Sequence, residues 1–324
     1  MQIISNCTQD VIKKAAKALT DGHLVAFPTE TVYGLGADAT NEKAVSRIYS
    51  VKGRPSDHPL IVHISSINGL DDWATQVPEY AVRLATQFWP GPLTLILPRK
   101  PLAQDFITGG QENVGLRVPS HPVALELLRQ FEALGGKGVS APSANRFGAV
   151  SPTTASAVHQ ELGEHLFPHD LIIDGGQSIV GIESTIVDCT KTSAQILRPG
   201  AVTTEMIKAQ VFLGGDNPSR TLTTRVSGQD KKHYSPKALV KINELPTFGE
   251  GFIALNTIKT PKGVIRLASP SNSDQFARQL YAALRMGDDL KLSCIVVNLP
   301  TGIGLAEAIC DRILKAAGSG VHDL

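Results

Sequence analysis

The sequence predicts an α/β protein in two parts: a large domain on a mixed twisted open sheet with helices, and a small C-terminal α/β domain joined to it by a long linker. Three observations predict this. Up to about residue 200, short apolar runs of strand length alternate with stretches carrying apolar residues at helical spacing. From 201 to 235 the periodicity fades into Gly, Ser, Thr and Asn. Beyond that stretch, strand and helix patterns resume in the order β-β-α-β-α. The expected boundaries are 1–202, 203–235 and 236–324.

Composition narrows the class. The chain has 324 residues, 42% hydrophobic and 19% charged, an ordinary globular balance with length for about two domains. Lys and Arg total 31 against 30 acidic residues, a net charge of +1, and aromatic content is 5%. That excludes a polycationic nucleic-acid binder, although a local basic cleft survives such averaging. Cys7, Cys189, Cys294 and Cys310 form no Cys-x-x-Cys pair, which argues against structural zinc or a disulfide framework and for a reduced compartment. The stretch from Met1 to Cys7 is too short and polar to begin a signal peptide, and no run reaches the roughly 20 apolar residues of a membrane span. A cytoplasmic protein with no membrane contact is expected.

Residues 11–19 read as a helix with Thr8 as N-cap and Asp10 in its first turn. Asp21-Gly22 turns the chain into a strand over 24–27, and Pro28-Thr29-Glu30-Thr31-Val32-Tyr33-Gly34-Leu35-Gly36-Ala37 reads as a polar loop beyond it. Ligands bind at such edges of open α/β sheets. Residues 34–39 superficially fit a dinucleotide fingerprint, but six residues separate strand from first glycine and no helix opens there. Residues 41–51 place Ala44, Val45, Ile48 and Tyr49 on one helical stripe, so Lys52 and Arg54 fall where that helix frays into a turn. Two readings stay open for them: cations at a negative helix end, or site residues. Strands follow over 60–64, 93–97 and 114–118, with a helix over 80–89 ended by Pro90-Gly91-Pro92. Arg117 within a strand implies either an edge strand or a charge aimed into a site. Ser120-His121-Pro122 opens a helix over 123–131.

Residues 139–148 carry Ser140, Ala141, Ser143, Asn145 and Arg146, either a plain Ser/Asn turn or a place where backbone approaches a ligand. Ser151-Pro152-Thr153-Thr154 caps the next helix, and Pro168 parts His165 from His169, which disfavours a metal site with His159. A strand over 171–173 precedes a closing hairpin of 184–188 with 195–198. After a short helical piece near 204–209, the linker ends at Lys231-Lys232-His233-Tyr234-Ser235-Pro236, which either anchors it or serves the site. Strands over 251–255, 264–267 and 294–298, a helix over 274–286 ended at Gly287, and one over 305–317 ended at Gly318 complete the chain.

With Pro28-Thr29-Glu30-Thr31-Val32-Tyr33-Gly34-Leu35-Gly36, Lys52-Gly53-Arg54-Pro55, Ser143-Ala144-Asn145 and His233-Tyr234-Ser235-Pro236 in place, the chain resembles the longer, two-domain YrdC-type L-threonylcarbamoyladenylate synthases. Lys-x-Arg and Ser-x-Asn are the signature of that family. The resemblance implies a YrdC-like catalytic domain, a small Rossmann-like C-terminal domain, and a linker crossing the site. It implies a nucleotidyltransferase that joins L-threonine, bicarbonate or CO₂, and ATP into threonylcarbamoyl-AMP and pyrophosphate. The product would supply threonylcarbamoylation of tRNA at position 37 through a downstream transferase complex, with weak or indirect tRNA contact. ATP contacts are implied for Lys52, Arg54, His58, Ser143, Asn145, Ser151, Arg198 and Tyr234, with Lys52 and Arg54 also catalytic. Threonine and carbamate contacts are implied for Thr31, His63, Arg117, Ala141 through its backbone, and Ser184. Mg²⁺ would come with the ATP phosphates, with no protein cage and no organic cofactor.

The chemistry accounts for those residue types. A carbamate must attack the α-phosphorus of ATP, anion against anion, so fixed cations are needed. Lys52 offers a point charge, Arg54 a planar fork, and Arg117 a bidentate clamp for a carboxylate. Two other readings compete. One is an RNA-binding module without turnover, which low net charge and few aromatics disfavour. The other is a carbamoyl-transfer domain of hydrogenase-maturation type, which would carry acylphosphatase-like or zinc-finger segments.

Overall fold

The computed structural model describes residues 3–318 except 6, 215–223 and 229–232. The expected linker therefore lies partly outside the described residues, Lys231-Lys232 included. Among the described residues, ten strands form the first sheet: β1 (Ile3–Ile4), β2 (Val25–Phe27), β3 (Gly34–Asp38), β4 (Ile61–His63), β5 (Leu93–Pro98), β6 (Asn113–Arg117), β7 (Val139–Ser140), β8 (Leu171–Ile173), β9 (Thr185–Asp188) and β10 (Gln195–Arg198). Their order is β1-β8-β2-β3-β7-β4-β6-β5-β9-β10. β4 and β6 run parallel, β5 and β9 run parallel, and β2 with β3 and β9 with β10 run antiparallel, so the sheet is mixed as expected.

Alternation along the strands decides which helices go where. Val25 and Phe27 face one side, under α1 (Gln9–Thr20) and α6 (Pro122–Ala133). Leu24, Ala26, Leu35 and Ala37 face the other, where α2 (Glu42–Lys52), α3 (Leu70–Trp73), α4 (Glu79–Phe88) and α7 (Ala155–Leu162) cover them. A one-turn helix α5 (Asp105–Thr108) lies between β5 and β6. The Thr8 cap read from sequence is present, accepting the backbone N–H of Val11, and Asn41 caps α2 in the same way through the N–H of Ala44. Gly53 closes α2 in the left-handed conformation, φ 62°.

The second sheet is parallel throughout: β11 (Leu239–Ile242), β14 (Cys294–Val297), β12 (Gly251–Ile253) and β13 (Ile265–Ala268), in that spatial order. α8 (Thr204–Lys208) precedes it, and α9 (Ser273–Asp289) and α10 (Leu305–Ala317) pack against it. No helix among the described residues is long and apolar enough to cross a membrane. The two sheets share a seam, since Val32, Val150 and Ile182 of the first part join the core of the second. At that seam Gly181 (φ 86°) has no room for a side chain, because a Cβ would stand 2.5 Å from the Ala277 carbonyl oxygen.

Several expectations change. Residues 34–37 belong to a strand, not a loop: the polar loop covers 28–33, and glycine at 36 is required because a Cβ would meet Phe27 and Val139 at 2.8 Å. Lys52 is the last residue of α2 rather than part of a frayed turn. β6 lies inside the sheet between β4 and β5, so the edge-strand reading of Arg117 fails. The second unit has the order β-β-β-α-β-α, because β11 was missed. Gly287 does not end its helix; it lies within α9, where a Cβ would stand 2.4 Å from Ile295 Cδ1.

Candidate active site

β2 and β3 form a tight antiparallel pair, and the 28–33 loop between them is folded inward by its own hydroxyls. The Thr29 hydroxyl donates to the Val32 carbonyl at 2.6 Å and lies 2.8 Å from Thr31 Oγ1. Glu30, in the same loop, is 2% exposed. It answers the question raised by Arg117: the Arg117 Nη2 donates to Glu30 Oε1 at 2.7 Å, Nη1 to Thr31 Oγ1 at 3.0 Å, and Glu30 Oε2 accepts the Ser120 N–H. A buried arginine is tolerated when such a partner fixes it. Glu30 was not among the expected site residues.

His63 ends β4 in register with Arg117 on β6. Burial first, and Arg117 second, push its pKa down to about 3, so the ring is neutral. Its Nδ1 has no hydrogen-bond partner among the described residues. On the next pair of strands, Ser184 Oγ lies 2.8 Å from Thr94 Oγ1, and the Arg198 guanidinium donates through Nε and Nη2 to the Ser184 carbonyl. These groups are held by strand register before any ligand arrives.

The Lys-x-Arg turn does two different things. Lys52 is buried behind the cavity, and its ammonium donates to the Ser143 and Asn145 carbonyls, each at 2.5 Å. Burial and the neighbouring Arg54 lower its pKa well below the usual lysine value. Arg54 instead reaches the cavity wall, with Nη2 donating to the Pro59 carbonyl at 3.0 Å and to Ser227 Oγ at 3.1 Å. Asn145 Nδ2 closes its own turn on the Arg146 and Ala149 carbonyls, and Ser151 Oγ donates to Glu183 Oε1 at 2.6 Å. His58 packs edge-on against Phe147 at 5.2 Å.

The far wall comes from beyond the first sheet. Arg198 Nη1 donates to the Ser227 carbonyl, and Val226 is buried with Ile96 and Ile186. Arg225 reaches Asp57 and the Gly109 carbonyl, while Gln111 pairs with its backbone N–H and carbonyl. His233 is held neutral by burial, its pKa down to about 3, and Tyr234 is buried at φ 58° with its ring stacked on Tyr281. The Tyr234 hydroxyl has no partner among the described residues.

These walls enclose a cavity of about 50 Å³. Of the residues expected from the sequence, Thr31, Arg54, His63, Arg117, Ala141, Ser143, Ser184, Arg198 and Tyr234 line it. Lys52, His58, Asn145 and Ser151 are not among its lining residues, and Glu183, Ser227 and His233 line it without having been expected. Three guanidinium groups, from Arg54, Arg117 and Arg198, thus converge on one cavity from segments far apart in sequence.

A mixed α/β fold with converging cations, small hydroxyl residues and a covered cavity is an arrangement suited to anionic reactants, in keeping with the YrdC-like resemblance. Family profiles agree: one described as "Telomere recombination" (Sua5_yciO_yrdC) matches residues 17–200, and one described as "Threonylcarbamoyl-AMP synthase, C-terminal domain" matches 202–318. The chain belongs to this family, in its long two-domain form. It is similar to the threonylcarbamoyl-AMP synthase of Pyrococcus abyssi, 38% identical over 98% of both chains. The Bacillus subtilis threonylcarbamoyl-AMP synthase is 39% identical over 96% of this chain and 94% of that protein. Among solved structures, P. abyssi Sua5 complexed with L-threonine superposes with a TM-score of 0.87 at 36% identity, covering 98% of each chain. E. coli YciO shares the fold of the first domain at a TM-score of 0.52 and 24% identity, covering 61% of this chain and 95% of that one.

Proposed function

We propose that this cavity is the site of an L-threonylcarbamoyladenylate synthase, which makes threonylcarbamoyl-AMP and pyrophosphate from L-threonine, bicarbonate or CO₂, and ATP. The observation that carries the proposal is the convergence of Arg54, Arg117 and Arg198 beside Thr31 and Ser143. Arg117, already oriented by Glu30, offers its Nη1 edge to the threonine carboxylate, with Thr31 and neutral His63 beside it. A neutral histidine accepts a hydrogen bond without competing for the carboxylate. The threonine amine nitrogen adds to the carbon of CO₂, one C=O π bond opening to an oxyanion while the nitrogen gives up a proton to solvent, which leaves the carbamate. A carbamate oxygen then bonds to the α-phosphorus as the bond to the β-phosphate bridging oxygen breaks. Arg54 and Arg198 stand to neutralise the charge that gathers on the leaving pyrophosphate. Ser143, Asn145, Ser151, His58 and Tyr234 form the nucleotide side, and Lys52 holds the 143–145 turn by its two carbonyl contacts. Ser184 and the Ala141 backbone complete the threonine side.

Mg²⁺ enters as part of the nucleotide substrate. The described lining offers it no carboxylate set: Glu183 is the acidic member, and its two oxygens are taken by Ser151, Tyr281 and Arg312. A cavity of about 50 Å³ holds a few waters rather than a nucleotide, so the cover formed by residues 224–228 and 233–234 moves aside for ATP and closes for chemistry. Closure keeps water from a carbamate that decomposes readily. The product then passes to a transferase acting on tRNA.

The test is pyrophosphate release from ATP with threonine and bicarbonate each omitted in turn. Release should need both. Release that ignores either omission rejects the proposal.

A further inference from the structure

Three guanidinium groups line the cavity, and Glu183 is the one acidic side chain among its described lining residues. A carboxylate there would repel every reactant this site is proposed to accept. Burial disfavours its charge, yet Arg312 and Arg198 outweigh burial and hold its pKa down to about 2. Its contacts show how the charge is managed. Glu183 Oε1 accepts from the Ser151 hydroxyl at 2.6 Å, and Oε2 accepts from the Tyr281 hydroxyl at 2.8 Å and Arg312 Nε at 2.9 Å.

Tyr281 and Arg312 belong to α9 and α10, in the second unit. Arg312 is 0% exposed. Its Nη2 donates to the Pro199 carbonyl at the end of β10, its Nη1 to Asp311, and its guanidinium lies 5.2 Å from the centroid of the Tyr234 ring. One guanidinium from the small domain therefore touches the cavity carboxylate, the first sheet and the cover together.

We propose that Arg312 is a positioning residue for the adenylation reaction: through Glu183 and Tyr234 it holds the nucleotide side of the cavity in shape, and it offsets the charge of the one carboxylate among the described lining residues. The inference rests on the functional reading above and assigns the second domain a part in the active site. Its physical signature is a coupling between two substitutions. Arg312→Met leaves Glu183 as a buried, under-compensated charge facing the phosphates, whereas also replacing Glu183 by Gln removes that charge.

The experiment measures threonine-dependent and bicarbonate-dependent pyrophosphate release for the full chain, for Arg312→Met, for Glu183→Gln and for the double variant, with thermal unfolding of each. Arg312→Met should raise the KM for ATP about tenfold or more while the KM for threonine shifts less than about twofold. Adding Glu183→Gln should bring the KM for ATP back down by about fivefold or more. A double variant no better than Arg312→Met, or KM values for ATP and threonine that rise together, overturns the proposal. Should Arg312→Met not fold, Arg312→Lys carries the same test, because lysine keeps the charge but lacks the fork that spans Glu183 and Pro199. Its KM for ATP should rise about threefold or more and fall again with Glu183→Gln, and wild-type kinetics in Arg312→Lys overturn the proposal. Absence of threonine-dependent release in the unaltered chain would instead reject the functional reading, before any variant is compared.

Discussion

The two walls of the cavity are built on different principles. The wall proposed to take threonine is a product of strand register: His63 and Arg117 are paired across β4 and β6, and Glu30 and Thr31 come from the turn between β2 and β3. Its groups lock one another, with a buried ion pair at its centre. The covering wall is assembled from segments outside the strands of the first sheet, namely 224–228, 233–235 and the faces of α9 and α10, joined by side chains and by single backbone links such as the His233 N–H to the Lys315 carbonyl. Its outer fastening, Arg225 with Asp57, is 50% and 60% exposed. The contrast teaches how one site can be both preorganised and enterable. A threonine clamp that is rigid needs no reorganisation at the moment of reaction, while a cover held by replaceable contacts can open for a large nucleotide.

The largest expected effect lies on the rigid side. Glu30→Gln keeps the shape of the side chain but leaves Arg117 buried without its counter-charge. Removing one partner of a buried pair costs about 3–5 kcal/mol, so denaturant unfolding should show a loss of that order. The KM for threonine should rise with it, since the Arg117 fork is no longer aimed. Stability within about 1 kcal/mol of the unaltered chain would break the comparison, because the threonine wall would then not depend on its ion pair.

Sequence legibility divides along the same line. Some candidates that the structure brings to one cavity stand out in the sequence: Arg54 and Ser143 sit in the dense Lys-x-Arg and Ser-x-Asn patterns, and Arg117 is an arginine within a strand. The partner of Arg117 was not readable, since Glu30 lies 87 residues away and looks like any polar loop residue. Arg312 hid for a similar reason: beside Asp311 on an amphipathic helix it resembles a solvated charge, and only the approach of Glu183 from another domain buries it. In the fold, the short helices α3 and α5 went unread, and the other misread elements are glycine-bearing or lie at a sheet edge. Gly34 and Gly36 lower strand propensity in β3, yet close packing on Phe27 and Val139 demands a residue without a side chain. Gly287 reads as a helix stop and is instead a point of close approach to Ile295. β11 is a four-residue edge strand containing a lysine, too short and mixed to stand out.

A smaller effect on stability, with a large one on turnover, is expected at the boundary between the walls. Arg54 joins the Pro59 carbonyl of the first domain to Ser227 of the cover. Arg54→Ala should lower turnover by about 100-fold, as for loss of one group that stabilises transition-state charge. The fold should survive, with unfolding free energy changed by only about 1–2 kcal/mol. Unchanged pyrophosphate release would return Arg54 to the role of a cation at a helix end.

The smallest effect should come from the outer fastening. Arg225→Ala removes an exposed ion pair to Asp57 and a contact to the Gly109 carbonyl, but leaves the backbone clamp by Gln111 and the buried Val226 in place. Exposed pairs contribute about 0–1 kcal/mol, so global stability should barely move and kcat should change by less than about threefold. What should change is local opening: limited proteolysis within residues 224–228 should quicken several-fold at unchanged global stability. ATP at saturating concentration should slow cleavage again, because a nucleotide seated beneath the cover favours the closed arrangement. If Arg225→Ala instead destabilises the whole chain as strongly as Glu30→Gln, the covering wall is as integral to the fold as the threonine clamp, and the division between a rigid wall and a detachable one is wrong.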